Sequence, residues 1–176
     1  NYLAENYQRA AGVELVPLSG TKERAYYDQF LMLIFNDIES LGLWTHRKFI
    51  DLAQHATRPE IMKEIRYTHI PEVAEPAKFT FERTLEILVE ELRKHCYLLG
   101  DNFTALDIHF LRDLEWAEAL DWLHGNPHEE LLRDYYDRVR MREAYKTCWK
   151  LRQPLDLSRR SLNTFTPQHQ KPPPGL

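Results

Sequence analysis

Few side chains in this sequence stand at spacings that could do chemistry. His124, His128 and Glu129 crowd together in "HGNPHEE", and three such groups could ligate a metal. Gly125 and Pro127 make that stretch a turn, however, and it matches no metal-site motif, so no metal is expected. His109 has only Asp113 at i+4 as a second ligand and reads as a histidine satisfied in a core or a cleft. Cys148 lies between Lys146 and Lys150, which could lower a thiol pKa. No His or second Cys is placed to complete a redox pair, so a buried, inert thiol is expected. Cys96 and Cys148 are far apart and form no CxxC pair, which points to reduced thiols rather than a disulfide framework. Trp116 offers a flat apolar wall and one N–H donor, suited to an aromatic ligand or to packing between helices. The basic "RVRMREAYKTCWKLR" alternates with aromatics and acids, as a solvated helix face does.

Composition narrows the classes. A chain of 176 residues can hold one domain with its own core. Its net charge is −4, with Lys and Arg spread along it, which argues against a nucleic-acid partner. No apolar run approaches the ~18 residues a membrane span needs. No signal peptide is visible either, and a cytoplasmic location is expected. The chain opens without Met, inside what reads as a helix, as a fragment or processed chain does.

The elements that must position these residues read as helix nearly throughout. "YLAEN" looks like the end of a helix stopped by Gly12, and "VELVPLSG" is a connector broken by Pro17 and Gly20. From Thr21 to residue 46 a long helix is predicted, with Ala25, Phe30, Leu33, Ile34, Ile38 and Leu41 on its apolar side and Gly42 as a site for a kink. Pro59 fits the first position of a short helix over 59–67. "AKFTFERTLEILVEELRKHC" puts Phe81, Leu85, Leu88 and Leu92 on one face. A helix from Thr104 to about Leu123 follows, ended by Gly125 and Pro127, and then two shorter ones. The tail 154–176 is Pro-rich and without periodicity. The fold class is all-α, a helical bundle.

The start of the central helix carries the most information. Thr104 and Asp107 have the spacing of a capping box, in which the hydroxyl accepts from the N–H of Asp107 and the carboxylate from the N–H of Thr104. Phe103 and Ile108 stand where a hydrophobic staple clasps such a start. Losing either capping side chain should cost about 1 kcal/mol or more. Behind the cap, Ile108, Leu111, Leu114 and Ala117 make an apolar face suited to the centre of a bundle.

"GDNFTALDIHFLRDLEWA" resembles the core helix of the all-helical C-terminal domain of the glutathione S-transferases, which carries a capping box and staple at this point. "NYLAENY" resembles the last helix of that family's thioredoxin-like domain. "LVPLSGTKERAYYDQFLMLIF" resembles its linker and first C-terminal helix. "DYYDRVRMREAYKTCW" is similar to its later helix pair, although Arg142–Glu143–Ala144 lacks the family's helix-opening Pro. The resemblance divides the chain into 1–12, the last helix of a truncated thioredoxin-like domain, 13–20, a linker, 21–153, the helical domain, and 154–176, the tail.

The resemblance implies a homodimer that conjugates glutathione, as co-substrate, to small hydrophobic electrophiles in detoxification. The family's thiol-activating Tyr, Ser or Cys lies in the thioredoxin-like domain, so no catalytic residue is expected in this chain. Asp37 falls where bacterial members carry an acid that reaches the glutathione amino group across the dimer, though it also fits a solvated helix acid. Met32, Phe35 and Glu39 are implied to face the electrophile pocket. On the bland reading Met32 is core, and Phe35 fits either place. His109 and Trp116 fall beside the same pocket in related bacterial enzymes. A rival function is a non-catalytic protein-interaction module with the same helical domain, since that domain also serves as one in other proteins.

Overall fold

The computed structural model describes residues 2–54, 68–152 and 172–174. Helix α1 (Tyr2–Ala11) stops at Gly12, whose φ of +66° suits a residue without a Cβ. Gln8 ties α1 to the connector after it. Its Nε2 donates to the Val16 carbonyl at 2.9 Å, and its Oε1 accepts from the N–H groups of Leu15 and Val16, both at 3.0 Å. The connector in turn braces the centre of the fold, because Ala105 N–H donates to the Leu15 carbonyl at 2.8 Å. Thr21 caps α2 (Lys22–Leu33), its hydroxyl accepting from Arg24 N–H at 3.1 Å.

α2 does not end at Leu33. It continues into a wide, π-helical segment, Ile34–Leu43, one α turn, Trp44–His46, a second wide segment, Arg47–Asp51, and the short Leu52–Gln54. A wide segment bonds i to i+5 rather than i+4, as Trp44 N–H does to the Glu39 carbonyl. A short 3₁₀ turn, Pro71–Val73, opens α3 (Ala74–Leu92). α4 (Ala105–Ala119), α5 (Glu129–Arg140) and α6 (Glu143–Arg152) complete the described bundle. Among the described residues there is no strand, only an isolated bridge between Tyr97 and Gly100. No described helix is long and apolar enough to cross a membrane.

α3 packs chiefly on the first wide segment through the predicted face, with Phe81, Leu85, Leu88 and Leu92 all buried. Each such side chain, once buried, contributes about 1.5–3 kcal/mol. Gly42 permits this approach rather than a kink. A Cβ there would meet the Phe81 Cβ at 3.2 Å, the Asp37 carbonyl at 3.4 Å and the Ala77 carbonyl at 3.5 Å. We expect Gly42→Leu to destabilise by about 1–3 kcal/mol through overpacking, read from urea denaturation. A midpoint equal to that of the parent protein would show that the two helices can separate freely here.

α4 is buried nearly all round and starts as expected. Both arms of the Thr104–Asp107 capping box are formed, with Thr104 N–H donating to Asp107 Oδ2 at 2.8 Å. Asp107 does more than cap. Its Oδ1 accepts from Leu98 N–H at 3.1 Å and from the Tyr135 hydroxyl at 2.8 Å, so one buried carboxylate joins α4, the turn before it and α5. Burial pushes the Asp107 carboxyl up, while the bonds from Thr104, Leu98 and Tyr135 pull it down.

Several expectations are corrected. Ile108 is 49% exposed, so no buried staple forms with it. Phe103 packs instead against Tyr97, 5.5 Å between ring centroids, and under Arg142, 3.8 Å from its ring. α4 ends at Ala119 rather than near Leu123. Asp121 takes a φ of +60°, and this reversal turns Trp122 and Leu123 into the core, where Trp122 packs on Phe81. On the long helix Ala25 and Leu41 are exposed, whereas Tyr27 and Leu43 are buried. The wide turns cause the shift at Leu41, since Ile38 and Leu43, five apart, come onto one side. Met32 is 64% exposed rather than core, because α2 is uncovered on that side. Cys148, on the outer face of α6, is exposed, and so is Cys96, in the connection between α3 and α4. The predicted helix over 59–67 lies outside the described residues, as does the tail apart from 172–174.

Candidate functional site

The predicted ligand residues come from two helices that run side by side, the continuous one from α2 through the wide segment Ile34–Leu43 to Trp44–His46, and α4. Their side chains meet in three rungs. Phe35 lies edge to face with His109, ring centroids 4.8 Å apart. Glu39 Oε2 pairs with Arg112 Nη2 at 2.5 Å. Trp44 lies edge to face with Trp116, ring centroids 5.6 Å apart. The second and third rungs are joined, since Trp44 Nε1–H donates to Glu39 Oε1 at 3.1 Å. Behind them the Arg47 guanidinium lies over both indoles, 4.9 Å from the Trp44 ring and 5.4 Å from the Trp116 ring.

The rungs explain the wide turns. Phe35 and Trp44 are nine residues apart, but their partners His109 and Trp116 are only seven apart. Seven residues of α-helix rise about 10.5 Å, and nine would rise about 13.5 Å, leaving the third rung ~3 Å out of step. The i→i+5 turns spread more residues over the same length and restore the match. Wide turns of this kind are frequent at functional sites.

Electrostatics concentrate at the middle rung. The same Arg112 Nη2 that holds Glu39 also donates to Asp113 Oδ1 at 2.8 Å. The Asp113 side chain is 0% exposed, and its Oδ2 has no hydrogen-bond partner among the described residues. Burial pushes the Asp113 carboxyl up to about 8, with Arg112 pulling it down and Glu39 raising it. At neutral pH it therefore carries its proton, and Arg112 faces one carboxylate rather than two. Burial lowers the His109 pKa, Arg112 adds to that, and Glu39 opposes it, so the imidazole on the first rung is kept neutral.

The residues fall into two groups by access. Met32, Phe35 and Ile108 are exposed, and the Arg112 side chain is 46% exposed, so these form a surface. Trp116 is 3% exposed, lies behind that surface and packs on Trp44 and Arg47. Asp37 is half-buried and is a partner in none of the three rungs. The turn histidines are not gathered as ligands: His124 lies 3.8 Å from Glu129, while His128 turns to Glu86 at 2.8 Å. No cluster of three or more His, Cys, Asp or Glu suited to a metal occurs among the described residues. Two surface cavities, of about 680 and about 310 Å³, lie elsewhere, beside the connector and the turn before α4, and none of the predicted ligand residues lines them.

Sequence reasoning missed Trp44, Arg112 and, as more than a weak metal ligand, Asp113. A signal for Asp113 existed. It stands on the stripe Leu106, Phe110, Ala117 at i, i+4 and i+11, which places a carboxyl at i+7 among core residues.

No family profile and no curated protein matches the chain by sequence. Among solved structures it is similar to BphK, a bacterial GST solved as a ternary complex. The TM-score is 0.59 at 21% identity, covering 82% of this chain and 62% of that one. It is also similar to a glutathione transferase from Phanerochaete chrysosporium in complex with oxidized glutathione. There the TM-score is 0.64 at 22% identity, over 86% and 63% of the two chains. A glutathione transferase from Methylococcus capsulatus gives 0.61 at 23% identity, over 85% and 63%. The chain thus spans less than two thirds of the length of each. Over that length, the described bundle has the all-helical fold found in glutathione S-transferases.

Proposed function

We propose that the chain is the electrophile-binding and dimerisation part of a glutathione transferase that conjugates glutathione to small hydrophobic electrophiles. The observation that carries the reading is the likeness in fold to glutathione transferases, one of them solved with oxidized glutathione. The exposed surface of Met32, Phe35, Ile108 and Arg112 supports it, because it joins apolar area to one cation at the edge of two packed helices.

In this reading a thioredoxin-like domain supplies the group that lowers the glutathione thiol pKa. The thiolate attacks an electrophilic carbon; a C–S bond forms and the bond to the leaving group breaks. This chain holds the carbon skeleton beside Met32, Phe35, Glu39 and His109, with Trp116 fixing Trp44 from behind. Holding the reactants together supplies much of the rate gain. Asp37 accepts from the amino group of glutathione bound to the other subunit of a homodimer. The protein acts in the cytoplasm, in detoxification.

The test is calorimetric titration with glutathione of this chain and of the same chain with whatever its gene encodes upstream. Binding by the longer protein alone is expected. Asp37→Asn in that protein should raise the KM for glutathione and leave that for the electrophile unchanged. No binding by either protein would overturn the reading in favour of a non-catalytic interaction module.

A further inference from the structure

The middle rung adds a charge to a surface that is otherwise apolar. Arg112 spends only Nη2 on protein, dividing it between Glu39 Oε2 and Asp113 Oδ1. Its Nε and Nη1 bond to nothing among the described residues, and its side chain is nearly half exposed. The head group does not swing freely, because two acids on different helices grip the same nitrogen. The free N–H groups therefore point from a fixed place. One helical turn away on α4 stand Ile108 and His109, and His109 packs on Phe35. A planar apolar body laid on Phe35 and Ile108 would bring a substituent within reach of Arg112.

The charge balance favours an anion there. Asp113 is buried and keeps its proton at neutral pH, so Glu39 alone offsets the guanidinium. Glu39 is itself occupied, ion-paired with Arg112 through Oε2 and accepting from Trp44 through Oε1. A guanidinium with free donors on a partly desolvated surface binds a carboxylate more strongly than a neutral acceptor.

We infer that Arg112 selects electrophiles that carry a carboxylate on an aromatic body. The word electrophile rests on the transferase reading; the anion site itself does not. The probes are 1-naphthoate and its neutral analogue 1-naphthamide, titrated into this chain and followed by the Trp44 indole N–H signal in NMR spectra. Trp44 reports on the site because its N–H bonds to the acid that holds Arg112.

Naphthoate is expected to shift the Trp44 signal and to bind at least tenfold more tightly than naphthamide. Arg112→Gln should make the two equal. Glu39→Gln, which removes the internal counter-ion, should raise the ratio of naphthoate to naphthamide affinity severalfold. Equal binding of the two probes, no binding of naphthoate, or a preference that survives Arg112→Gln overturns the inference. If Arg112→Gln fails to fold by circular dichroism, Glu39→Gln decides, and an unchanged or lower ratio of naphthoate to naphthamide affinity overturns it. Glutathione is absent from these titrations. A transferase without naphthoate preference refutes only the anion site, and a naphthoate preference without glutathione binding refutes only the transferase.

Discussion

Asp107→Ala is expected to remove about 3–6 kcal/mol of stability, enough to leave the chain largely unfolded. The variant strands four buried donors at once, the N–H groups of Thr104 and Leu98 and the hydroxyls of Thr104 and Tyr135. Each buried donor left without an acceptor costs about 1–3 kcal/mol. Removing a carboxylate that burial disfavours returns part of this, which is why the sum falls below the upper limit. Small domains are stable by only about 5–15 kcal/mol, so the loss is of the order of the whole. A cap alone would cost about 1 kcal/mol, and the excess comes from Leu98 and Tyr135.

Two milder variants separate the parts. Tyr135→Phe removes one donor and leaves Asp107 with its two backbone partners, so about 1 kcal/mol is expected. Asp107→Asn keeps Oδ1 for Leu98 and Tyr135 but sets an amide N–H against the Thr104 N–H, and should fall between the other two. Urea denaturation followed by circular dichroism gives all three values. An Asp107→Ala variant within about 1.5 kcal/mol of the parent would show that the carboxylate is an ordinary cap and that α5 docks without it.

What the sequence made legible is what depends on local spacing. The α3 face, the Thr104–Asp107 box and the stop at Gly12 each rest on residues within a few positions of one another, and each is present. What it hid depends on partners far along the chain. The wide turns leave no mark at a period of 3.6, because their spacing is set by α4, more than sixty residues away. Once the turns widen, the buried side of the long helix moves from Leu41 to Leu43. Arg112 and Glu39 read separately as surface charges, and only packing makes them a pair. Met32 and Cys148 were expected to be buried because their types favour burial, but each stands on a helix face that no described element covers. The shape of the candidate surface was therefore not legible: Phe35 meets His109, whereas Glu39 pairs with Arg112, which the sequence did not single out.

Asp113 makes the second large prediction, and its sign follows from its raised pKa. In the unfolded chain the carboxyl loses its proton near its ordinary value of 3.8, whereas in the fold it holds it up to about 8. Between those values the native state binds a proton that the unfolded state does not, so this group makes stability fall as pH rises. Its contribution is fully present below about pH 4 and is gone above about pH 8. The slope from this one group is at most about 1.4 kcal/mol per pH unit. Asp113→Asn keeps the oxygen that accepts from Arg112 and cannot ionise. The variant should be close to the parent in stability at pH 4 and several kcal/mol more stable at pH 8.5, read from urea midpoints at both pH values. Parallel pH profiles for the two proteins would mean that Asp113 is already ionised at neutral pH, with Arg112 shared between two carboxylates. Glu39→Gln supplies the check on cause. Glu39 is one of the charges holding the Asp113 carboxyl up, so its removal should move the end of the slope below pH 8. The naphthoate titration of Glu39→Gln is therefore run near pH 6, where Asp113 keeps its proton and cannot replace the missing counter-ion.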